Sequence, residues 1–495
     1  MAELSPAAGP LAHRLAAFAA GARDRPLPHA VWEDVVGRVL DTVGNCVAAL
    51  ELDAEDEPHL AVLRAARRSG GVAEASVIGF GDRIPADRAA LVNGTLAHAL
   101  DFDDTHLPSV LHPSASVVPA ALAAAEAAGA TGARLLAAVA AGDEVCVRLG
   151  VASYDPALRN SVFFEKGFHA TSICGTVGAA VAAGLLYGLD AERLAHAIGI
   201  ACSMGSGVIE ANRTGGTVKR IHCGWAAHAG VTAAQLAGEG VTGPPTALEG
   251  RFGFLRAYLD DSWDGAALTA GLERMDDPAS WELLRTVYKP YPSNHFTHPG
   301  IDCALALRAR GLDPDRIESI ELGVAAAPLR TIGEPREQKV RPTTPYHAKF
   351  SGPYTVASAL IGGGGLGLHL DDFAPAAFAD PRRLALTERV TVVEDAQCNE
   401  QFPRAFSAVL RVRCRDGSLW EHRVDSSRGG PGSPLSLDEL ETKYRLNAER
   451  VLDPAAAADL AARIRALPDL PEVSGVLPHL PETARSGLVG NSGPA

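Results

Sequence analysis

Apolar residues recur every three or four positions from Leu11 to about Gly271, and Gly or Pro interrupts the pattern at intervals. This spacing is the period of an α-helix with one buried face. Several segments, among them TSICGTVGAAVAAGLLYGL, are apolar on nearly every face, and such helices are normally enclosed by other helices. The pattern therefore predicts a large all-helical domain with little or no sheet, whose many Ala and Gly residues let the helices pack closely.

The pattern changes after Trp281. The segments RIESIELGVAAAPL, ERVTVVEDA and FSAVLRVRCRDGSLWEHRVD bring alternation, β-branched residues and a hairpin signal at Asp416-Gly417. Helical periodicity then returns, with Ser436 as the N-cap of a helix and Glu439 completing a capping box. A smaller α+β region thus interrupts the helical one.

Together these patterns predict a mainly α protein made of three stretches. Residues 1–284 form the N-terminal part of the helical domain, 285–433 form the smaller α+β domain, and 434–495 form C-terminal helices that rejoin the helical domain. The last segment, ETARSGLVGNSGPA, consists mostly of small residues and is predicted to be a mobile tail.

Composition narrows the classes of protein to consider. The 495 residues are 47% hydrophobic and 21% charged, as in soluble globular proteins, and they exceed the size of one ordinary domain. The 45 Lys and Arg against 59 Asp and Glu give a net charge of −14, which argues against a nucleic-acid partner. The sequence shows neither a signal peptide nor a membrane span, so a cytoplasmic protein is expected. The eight scattered cysteines lack a zinc spacing and predict buried, reduced thiols.

A dense polar stretch, DFDDTHLPSVLH, lies between two predicted helices. Its Asp101, Asp103, Asp104, His106 and His112 occupy a connection, where polar residues usually serve caps or a functional site. Five such residues exceed what capping requires, so we predict a site here. A calcium loop would need Gly and an acid where His106 and His112 stand, and a magnesium site would need a second acidic motif. We therefore expect no metal.

Two further stretches carry candidate chemistry in the helical part. His169 precedes a helix predicted to start near Thr171, and the positive end of a helix dipole favours a neutral imidazole that can move protons; the alternative is a capping or packing histidine. Further along, Lys219, Arg220 and His222 follow a Gly-Gly pair and open an apolar helix. Side chains of this type bind the carboxylate groups of ligands, although a run of charged residues often forms only a solvent-exposed helix face.

A fourth stretch, YKPYPSNHFTHPGID, lies where the pattern changes domain. It clusters Lys289, Asn294 and His295 before another helix, and two prolines fix its backbone. Because ligand sites are frequent at domain boundaries, these residues are also candidates for a binding site.

The four stretches, in this order, resemble the MmgE/PrpD family, which includes 2-methylcitrate dehydratase, cis-aconitate decarboxylase and iminodisuccinate epimerase. Further matching segments are KFSGPYTVASALIGG and GGPGSPLSLDELETKY, and the resemblance runs from about Val31 to Val451. It implies a helical domain with a smaller α+β lid, a homodimer, and catalysis without a metal or an organic cofactor.

The resemblance also implies roles for individual residues. Residues of the decarboxylase branch that line its pocket match Asp101, His112, His169, Lys219 and Lys289 here, which are the predicted catalytic set. A further histidine of that branch falls on Asn294, and an amide cannot replace a proton donor. His295 is its neighbour and would substitute only if the loop shifted. The predicted substrate-binding set is Asp104, His106, Arg220, His222, Asn294 and His295.

The resulting expectation is a cofactor-independent lyase that dehydrates a 2-methylcitrate-like hydroxy polycarboxylate. Lys219, Arg220 and Lys289 would hold the anion, while His169 or His112 would move the proton next to a carboxylate. Decarboxylation of a cis-aconitate-like substrate and epimerisation of a dicarboxylate are the alternatives. A more distant one is a non-catalytic protein that binds a carboxylate or a partner chain.

Overall fold

The computed structural model describes residues 9–52, 58–158, 160–211, 216–430 and 432–477. Arg213, one of the cations near the Gly-Gly pair, and the predicted mobile tail lie outside the described residues. The chain divides into two compact units, Met1–Thr286 with Tyr444–Ala495, and Val287–Lys443. The fold is mainly α, as the hydrophobic pattern predicts.

The first unit is built from helices and a few two-residue strands. Its helices are α1 Leu11–Asp24, α2 His29–Ala49, α3 His59–Ser69, α4 Ala86–Ala99, α5 Ser114–Ala127, α6 Gly132–Val151, α7 Val162–Glu165, α8 Ala170–Leu186, α9 Ala191–Ala201, α10 His222–Gly238, α11 Phe254–Leu259 and α12 Gly265–Thr269. Its short strands are β1 Ala75–Ser76, β2 Arg83–Ile84, β3 Thr105–His106, β4 Tyr154–Asp155 and β5 Asn160–Ser161, and β6 Thr286–Val287 follows at the boundary.

The second unit mixes helices with longer strands. Its helices are α13 His298–Ala309, α14 Ala326–Ile332, α15 Arg336–Lys339, α16 Pro345–Lys349, α17 Gly352–Ile361, α18 Pro375–Phe378, α19 Pro381–Thr387 and α20 Ala396–Gln401. Its strands are β7 Ile317–Val324, β8 Val390–Glu394, β9 Ala408–Cys414 and β10 Leu419–Val424. Helix α21 Leu437–Ala448 leads back to the first unit, which ends with α22 Pro454–Arg465.

Helix α8 is the most enclosed element of the first unit. Every residue from Ala170 to Leu186 is buried, and the helix packs against α5, α6 and α10. A helix that is apolar all round has no face suited to water, so neighbouring helices must cover it on all sides. The sequence-based expectation of enclosed helices is therefore confirmed.

Glycine allows the helix backbones to approach closely. A Cβ at Gly94 of α4 would lie 2.8 Å from the Cα of Gly224 in α10, and a Cβ at Gly178 of α8 would lie 2.6 Å from the Gly142 carbonyl oxygen in α6. No side chain fits at these distances, so the spacing of these helices depends on the missing Cβ atoms.

The second unit is organised around a four-stranded sheet in the order β10, β9, β7, β8. Strand β7 pairs antiparallel with β9 and parallel with β8, and helix α13 packs on β9 and β10. The β9–β10 hairpin turns at Gly417, whose φ is +84°, as the Asp416-Gly417 signal predicts.

Two other local predictions are confirmed. The Ser436 hydroxyl accepts the Glu439 N–H at 3.2 Å, and the Glu439 carboxylate accepts the Ser436 N–H at 2.7 Å, which is a complete capping box. All eight cysteines are free thiols, and only Cys202 is partly exposed.

Among the described residues, no helix combines the length and apolar character that crossing a membrane requires.

Replacing Gly224 with Ala should destabilise the first unit. The new methyl group would overlap the Leu91 carbonyl oxygen and lie 2.9 Å from the Thr95 nitrogen, both in α4. Overpacking of this kind typically costs about 1–3 kcal/mol. We expect a lower midpoint in urea-induced unfolding.

Gly238→Ala is the matched control, because Gly238 also lies in α10 and its added Cβ would meet only Leu189 Cδ2, at 3.7 Å. This variant should keep or raise the midpoint, since Ala favours a helix. Equal midpoints for the two variants would contradict the role assigned to the contact between α4 and α10.

Candidate active site

The connection between α4 and α5 places the acidic stretch beside several helix ends. Helix α4 stops at Ala99, and Asp101 adopts a φ of +54°, a left-handed conformation that Asp tolerates better than most residues. The chain thereby turns away from the helix axis, and Asp101, Asp103 and Asp104 are all buried. The predicted location of these residues in a connection is confirmed.

Asp104 belongs to a buried ionic network at the start of α5. Arg38 Nη1 donates to Asp104 Oδ2 at 3.1 Å, and Arg38 Nη2 donates to the Thr286 carbonyl at 2.6 Å. The Ser114 hydroxyl lies 2.5 Å from Asp104 Oδ2 and 3.1 Å from Asp143 Oδ2. The network ties α2, the acidic connection, α5 and α6 together.

The contacts of the Ser114 hydroxyl favour a protonated Asp143. A hydroxyl has one hydrogen, so Ser114 cannot donate to Asp104 and Asp143 at once. Asp104 has Arg38 as a cationic partner, so the extra proton belongs on Asp143, which donates to Ser114 Oγ. Burial, together with the Asp104 charge, raises the pKa of Asp143 well above its ordinary value.

His112 is oriented by backbone and side-chain oxygens. Its Nδ1 lies 2.5 Å from the Asp104 carbonyl oxygen and 3.3 Å from Thr105 Oγ1. A carbonyl oxygen only accepts, so Nδ1 carries a hydrogen, and in the neutral tautomer of the ring Nε2 holds the lone pair. The His112 side chain is 16% exposed, whereas those of His98 and Asp103 are almost completely buried.

His169 and His222 form a contact between two neutral imidazoles. His169 occupies the N-cap position of α8, and its Nδ1 lies 2.9 Å from His222 Nδ1. One ring must donate and the other accept. Burial, followed by the charges of Lys219 and His98, lowers the pKa of His169 well below its ordinary value, and burial lowers that of His222 to about 4. The sequence attributes a neutral His169 to the helix dipole, whereas burial is the main cause here.

A third histidine, His98, connects an aspartate to a lysine. Its Nδ1 donates to Asp103 Oδ2 at 2.8 Å, and its Nε2 lies 3.4 Å from Lys219 Nζ. Burial opposes charge on this ring, but the charge of Asp103 and its hydrogen bond outweigh that effect and raise the pKa of His98 to about 10. The His98 ring centroid lies 5.5 Å from that of His112 and 5.8 Å from that of His169.

Sequence reasoning missed His98 because it lies inside α4, whose other residues are mostly small or apolar. The available signal was its position in the last helical turn, directly before the acidic stretch. A side chain in that turn projects near the connection, so His98 reaches Asp103 five residues later.

One group of side chains has the spacing of a metal site. Donor atoms of His98, Asp103 and Cys223 lie within 4.8 Å of one another. However, Asp103 already accepts a hydrogen bond from His98, and the Lys219 ammonium would face any cation bound there. We therefore interpret His98 and Asp103 as a hydrogen-bonded pair that Cys223 adjoins.

His106 and Arg220 have surroundings that differ from the cluster. His106 is buried, with Nδ1 2.7 Å from Ser109 Oγ and Nε2 3.1 Å from the Glu282 carbonyl oxygen. Its ring nitrogens thus have structural partners in this conformation. Arg220 is partly exposed at the end of the 3₁₀-helix Val218–Ile221. Substrate binding by either residue stays a prediction.

The remaining predicted residues belong to the second unit. Lys289 is buried. The Asn294 side chain accepts the Phe296 N–H at 3.1 Å and begins a short 3₁₀-helix, so it acts as a cap. His295 Nε2 lies 3.1 Å from Ser427 Oγ, and its ring stacks on His298 with centroids 4.5 Å apart. His295 is therefore held by Ser427 and His298 in this conformation, and its substitution for Asn294 stays a prediction.

The fold is mainly α, and the site brings together histidines whose pKa values are shifted in opposite directions. Residues 13–265 match the MmgE/PrpD N-terminal domain, and residues 291–468 match the MmgE/PrpD C-terminal domain. The chain belongs to the MmgE/PrpD family, as the resemblance of its motifs indicates.

Among its relatives are cis-aconitate decarboxylases from animals and a fungus. The chain is 30% identical over 404 residues to the enzyme of Homo sapiens, with 79% of each chain covered. It is 28% identical over 397 residues to that of Mus musculus, with 79% of this chain and 78% of the relative covered. Identity to the Aspergillus terreus enzyme is 25% over 430 residues, covering 83% of this chain and 85% of the relative.

Asp143→Asn should change how stability depends on pH. A carboxyl whose pKa is raised by folding binds its proton more tightly in the folded state, so stability falls as pH rises above the ordinary value of 3.8. The amide avoids that loss and can still donate to Ser114. Relative to the wild type, the variant should gain about 1.4 kcal/mol for each pH unit until Asp143 ionises.

Unfolding free energies measured at pH 5, 6.5 and 8 would test this expectation. Asp104→Asn is the comparison. Burial raises the pKa of Asp104 to about 6, so its own pH-dependent contribution is complete by pH 6.5, and loss of the charge that pairs with Arg38 should destabilise the protein to a similar extent at pH 6.5 and 8. If Asp143→Asn were as harmful as Asp104→Asn at pH 8, the assignment of the proton to Asp143 would be wrong.

Proposed function

We propose that this chain is a cofactor-independent lyase that dehydrates a 2-methylcitrate-like hydroxy polycarboxylate. The observation that carries the proposal is a set of histidines whose surroundings favour different protonation states. Surroundings that separate pKa values in this way provide an acid and a base in one site. A lowered pKa keeps His169 neutral, whereas the charge of Asp103 raises the pKa of His98 against the opposing effects of burial and Lys219.

Dehydration begins at the carbon next to a carboxylate. A neutral imidazole, at His112 Nε2 or on His169, takes the proton from that carbon, and the electron pair develops enolate charge on the carboxylate. Lys219 stabilises this charge. The pair then forms the new double bond, the C–O bond breaks, and the hydroxyl leaves as water after receiving a proton. Asp101 is proposed to orient a histidine, and Lys289 stays a predicted anion-binding residue from the family resemblance.

Decarboxylation of a cis-aconitate-like substrate is the second candidate, and the names of the relatives favour it. In that reaction the bond between the substrate and its carboxylate breaks, CO2 leaves, and a proton is added to carbon. The same cations would stabilise the charge. Asn294 weighs against this candidate, because it stands where the decarboxylase branch has a histidine and acts here as a helix cap.

Epimerisation of a dicarboxylate uses the same first step but returns the proton to the opposite face of the carbon. Product analysis separates the three reactions, because epimerisation keeps every atom. We further propose that the protein acts as a homodimer in the cytoplasm and needs neither a metal nor an organic cofactor. A non-catalytic carboxylate-binding protein is disfavoured by the number of acid–base groups that converge.

Proton NMR of EDTA-treated protein with 2-methylcitrate, citrate and cis-aconitate in separate tubes tests the proposed reaction. We expect alkene signals to appear from 2-methylcitrate, because dehydration forms a double bond. Loss of cis-aconitate with a new methylene pair would establish decarboxylation instead. Three unchanged tubes would show that the proposed substrate class is wrong.

Lys219→Ala and His169→Ala should each lower kcat/KM by about a hundredfold or more, in the range of a lost acid–base or charge-stabilising group. Cys174→Ala is the control, because Cys174 is buried in α8 near His169 and has no proposed role. Circular dichroism should show an intact fold in all three. Near-wild-type turnover by either of the first two variants would refute their assignment.

A further inference from the structure

His98 is the central residue of a buried polar chain that the sequence did not reveal. Its side chain is 1% exposed and that of Asp103 is 3% exposed, while Lys219 is 8% exposed. The chain joins the end of α4, the acidic connection and the 3₁₀-helix that leads into α10. Burial of an ionisable group destabilises the folded state unless the group has a partner, so each of these three side chains should be paired within the chain.

The hydrogen that each nitrogen carries determines how the three groups are paired. Asp103 is a carboxylate that only accepts, so His98 Nδ1 carries a hydrogen. At 3.4 Å, near the upper limit for a hydrogen bond, the contact between His98 Nε2 and Lys219 Nζ is attractive only if one nitrogen offers a lone pair to the other. An imidazolium has none to offer, and neither has an ammonium. The His98–Lys219 pair therefore holds one proton fewer than two full cations would.

We propose that Asp103 and His98 form a proton-sharing chain with Lys219, in which His98 is a positioning residue that makes Lys219 a proton donor to the substrate. In one state Lys219 is an ammonium that donates to the neutral ring of His98. In the other state His98 is the cation and Lys219 is a neutral amine. The heavy atoms occupy the same places in both states, and one carboxylate balances the single positive charge.

The groups around His98 are consistent with this distribution of charge. His112, from the connection, and His169, from the start of α8, face the ring with centroids 5.5 and 5.8 Å away. Cys223 of α10 contributes a sulfur within the 4.8 Å group that includes Asp103. The pKa of His169 is lowered by burial, so this ring adds no charge. Asp103 Oδ2 lies 2.8 Å from His98 Nδ1 and 3.8 Å from His112 Nδ1, so it is the anion that faces the His98–Lys219 pair.

This inference rests on the proposed function and specifies the source of the acid. When Lys219 gives its proton to the leaving hydroxyl, the nitrogen keeps the electron pair and the oxygen leaves with the electrons of the C–O bond, as water. The base holds the proton taken from carbon. Release of that proton to solvent, and uptake of one by the pair, restores the starting state, so atoms and charge balance over one turnover.

The first measurement follows Lys219 without using activity. Trace acetylation by acetic anhydride, quantified for each lysine peptide by mass spectrometry, reports the fraction present as the neutral amine. In the wild type we expect Lys219 to be labelled near pH 7, where an ordinary lysine is almost fully protonated. Labelling that rises only near pH 10 would overturn the proposal.

Substitution of His98 is the second measurement. In His98→Gln the amide oxygen can still accept from Lys219 but cannot take up a proton, so Lys219 should keep its own proton. Labelling of Lys219 at pH 7 should then fall by about tenfold, which is the change in the neutral fraction that one pH unit produces. His98→Asn is a second variant, since its amide imitates Nδ1 and keeps a donor for Asp103. Equal labelling in these variants and the wild type would contradict proton sharing.

His228→Gln is the matched control. His228 also lies in α10 and pairs with an aspartate, Asp87, at 3.2 Å. Its loss should leave the labelling of Lys219 unchanged. A fall in labelling as large as that of His98→Gln would show a general loosening of the helix and count against the proposal.

The pH profile of kcat/KM gives the third measurement, on whichever substrate is turned over. His98→Gln should lower kcat/KM by about a hundredfold. It should also remove the limb of the pH profile that arises from ionisation of the His98–Lys219 pair. A lower rate with an unchanged profile would indicate a purely structural role. If no substrate is turned over, the proposed function fails, while the labelling of Lys219 still decides whether the proton is shared.

Discussion

The approach of α4 to α10 through glycine is the constraint on which the site depends. Gly94 lies one turn before His98, and a Cβ there would be 2.8 Å from the Cα of Gly224, which directly follows Cys223. Two helices that carried side chains at this crossing would be about 1–2 Å further apart. His98 could then not reach Lys219. The distance between these groups is therefore set by backbone contact and not by the flexible side chains themselves.

Close packing also removes water, so every charge near the site needs a partner within the protein. Arg38 has Asp104 and the Thr286 carbonyl, and His98 has Asp103. Where partners are insufficient, protonation changes instead: Asp143 keeps its proton beside Asp104, and His169 stays neutral. The same exclusion of water that makes these groups costly strengthens their effect on charge that develops in a substrate.

Features determined by local sequence could be predicted from the sequence, and features determined by packing could not. The capping box at Ser436 and Glu439 and the turn at Gly417 depend on neighbouring residues, so a short stretch reveals them. His98 depends on a residue 121 positions away in the chain, which no local pattern contains. His169 shows a mixed outcome: its position before a helix was visible, but the burial that lowers its pKa was not.

Dehydration and decarboxylation place the same negative charge next to a carboxylate and differ in which atom receives a proton. The identity of the acid therefore matters more for the reaction than the identity of the anion-binding cations. Asn294 cannot transfer a proton, and its oxygen already caps a helix, while His295 is held by Ser427 and His298. The acid should accordingly be sought in the first unit, where Asp103, His98 and Lys219 hold an exchangeable proton in a buried place. In the proposed dehydration, an acid built in this way would protonate the leaving hydroxyl without the histidine that the family resemblance places at Asn294.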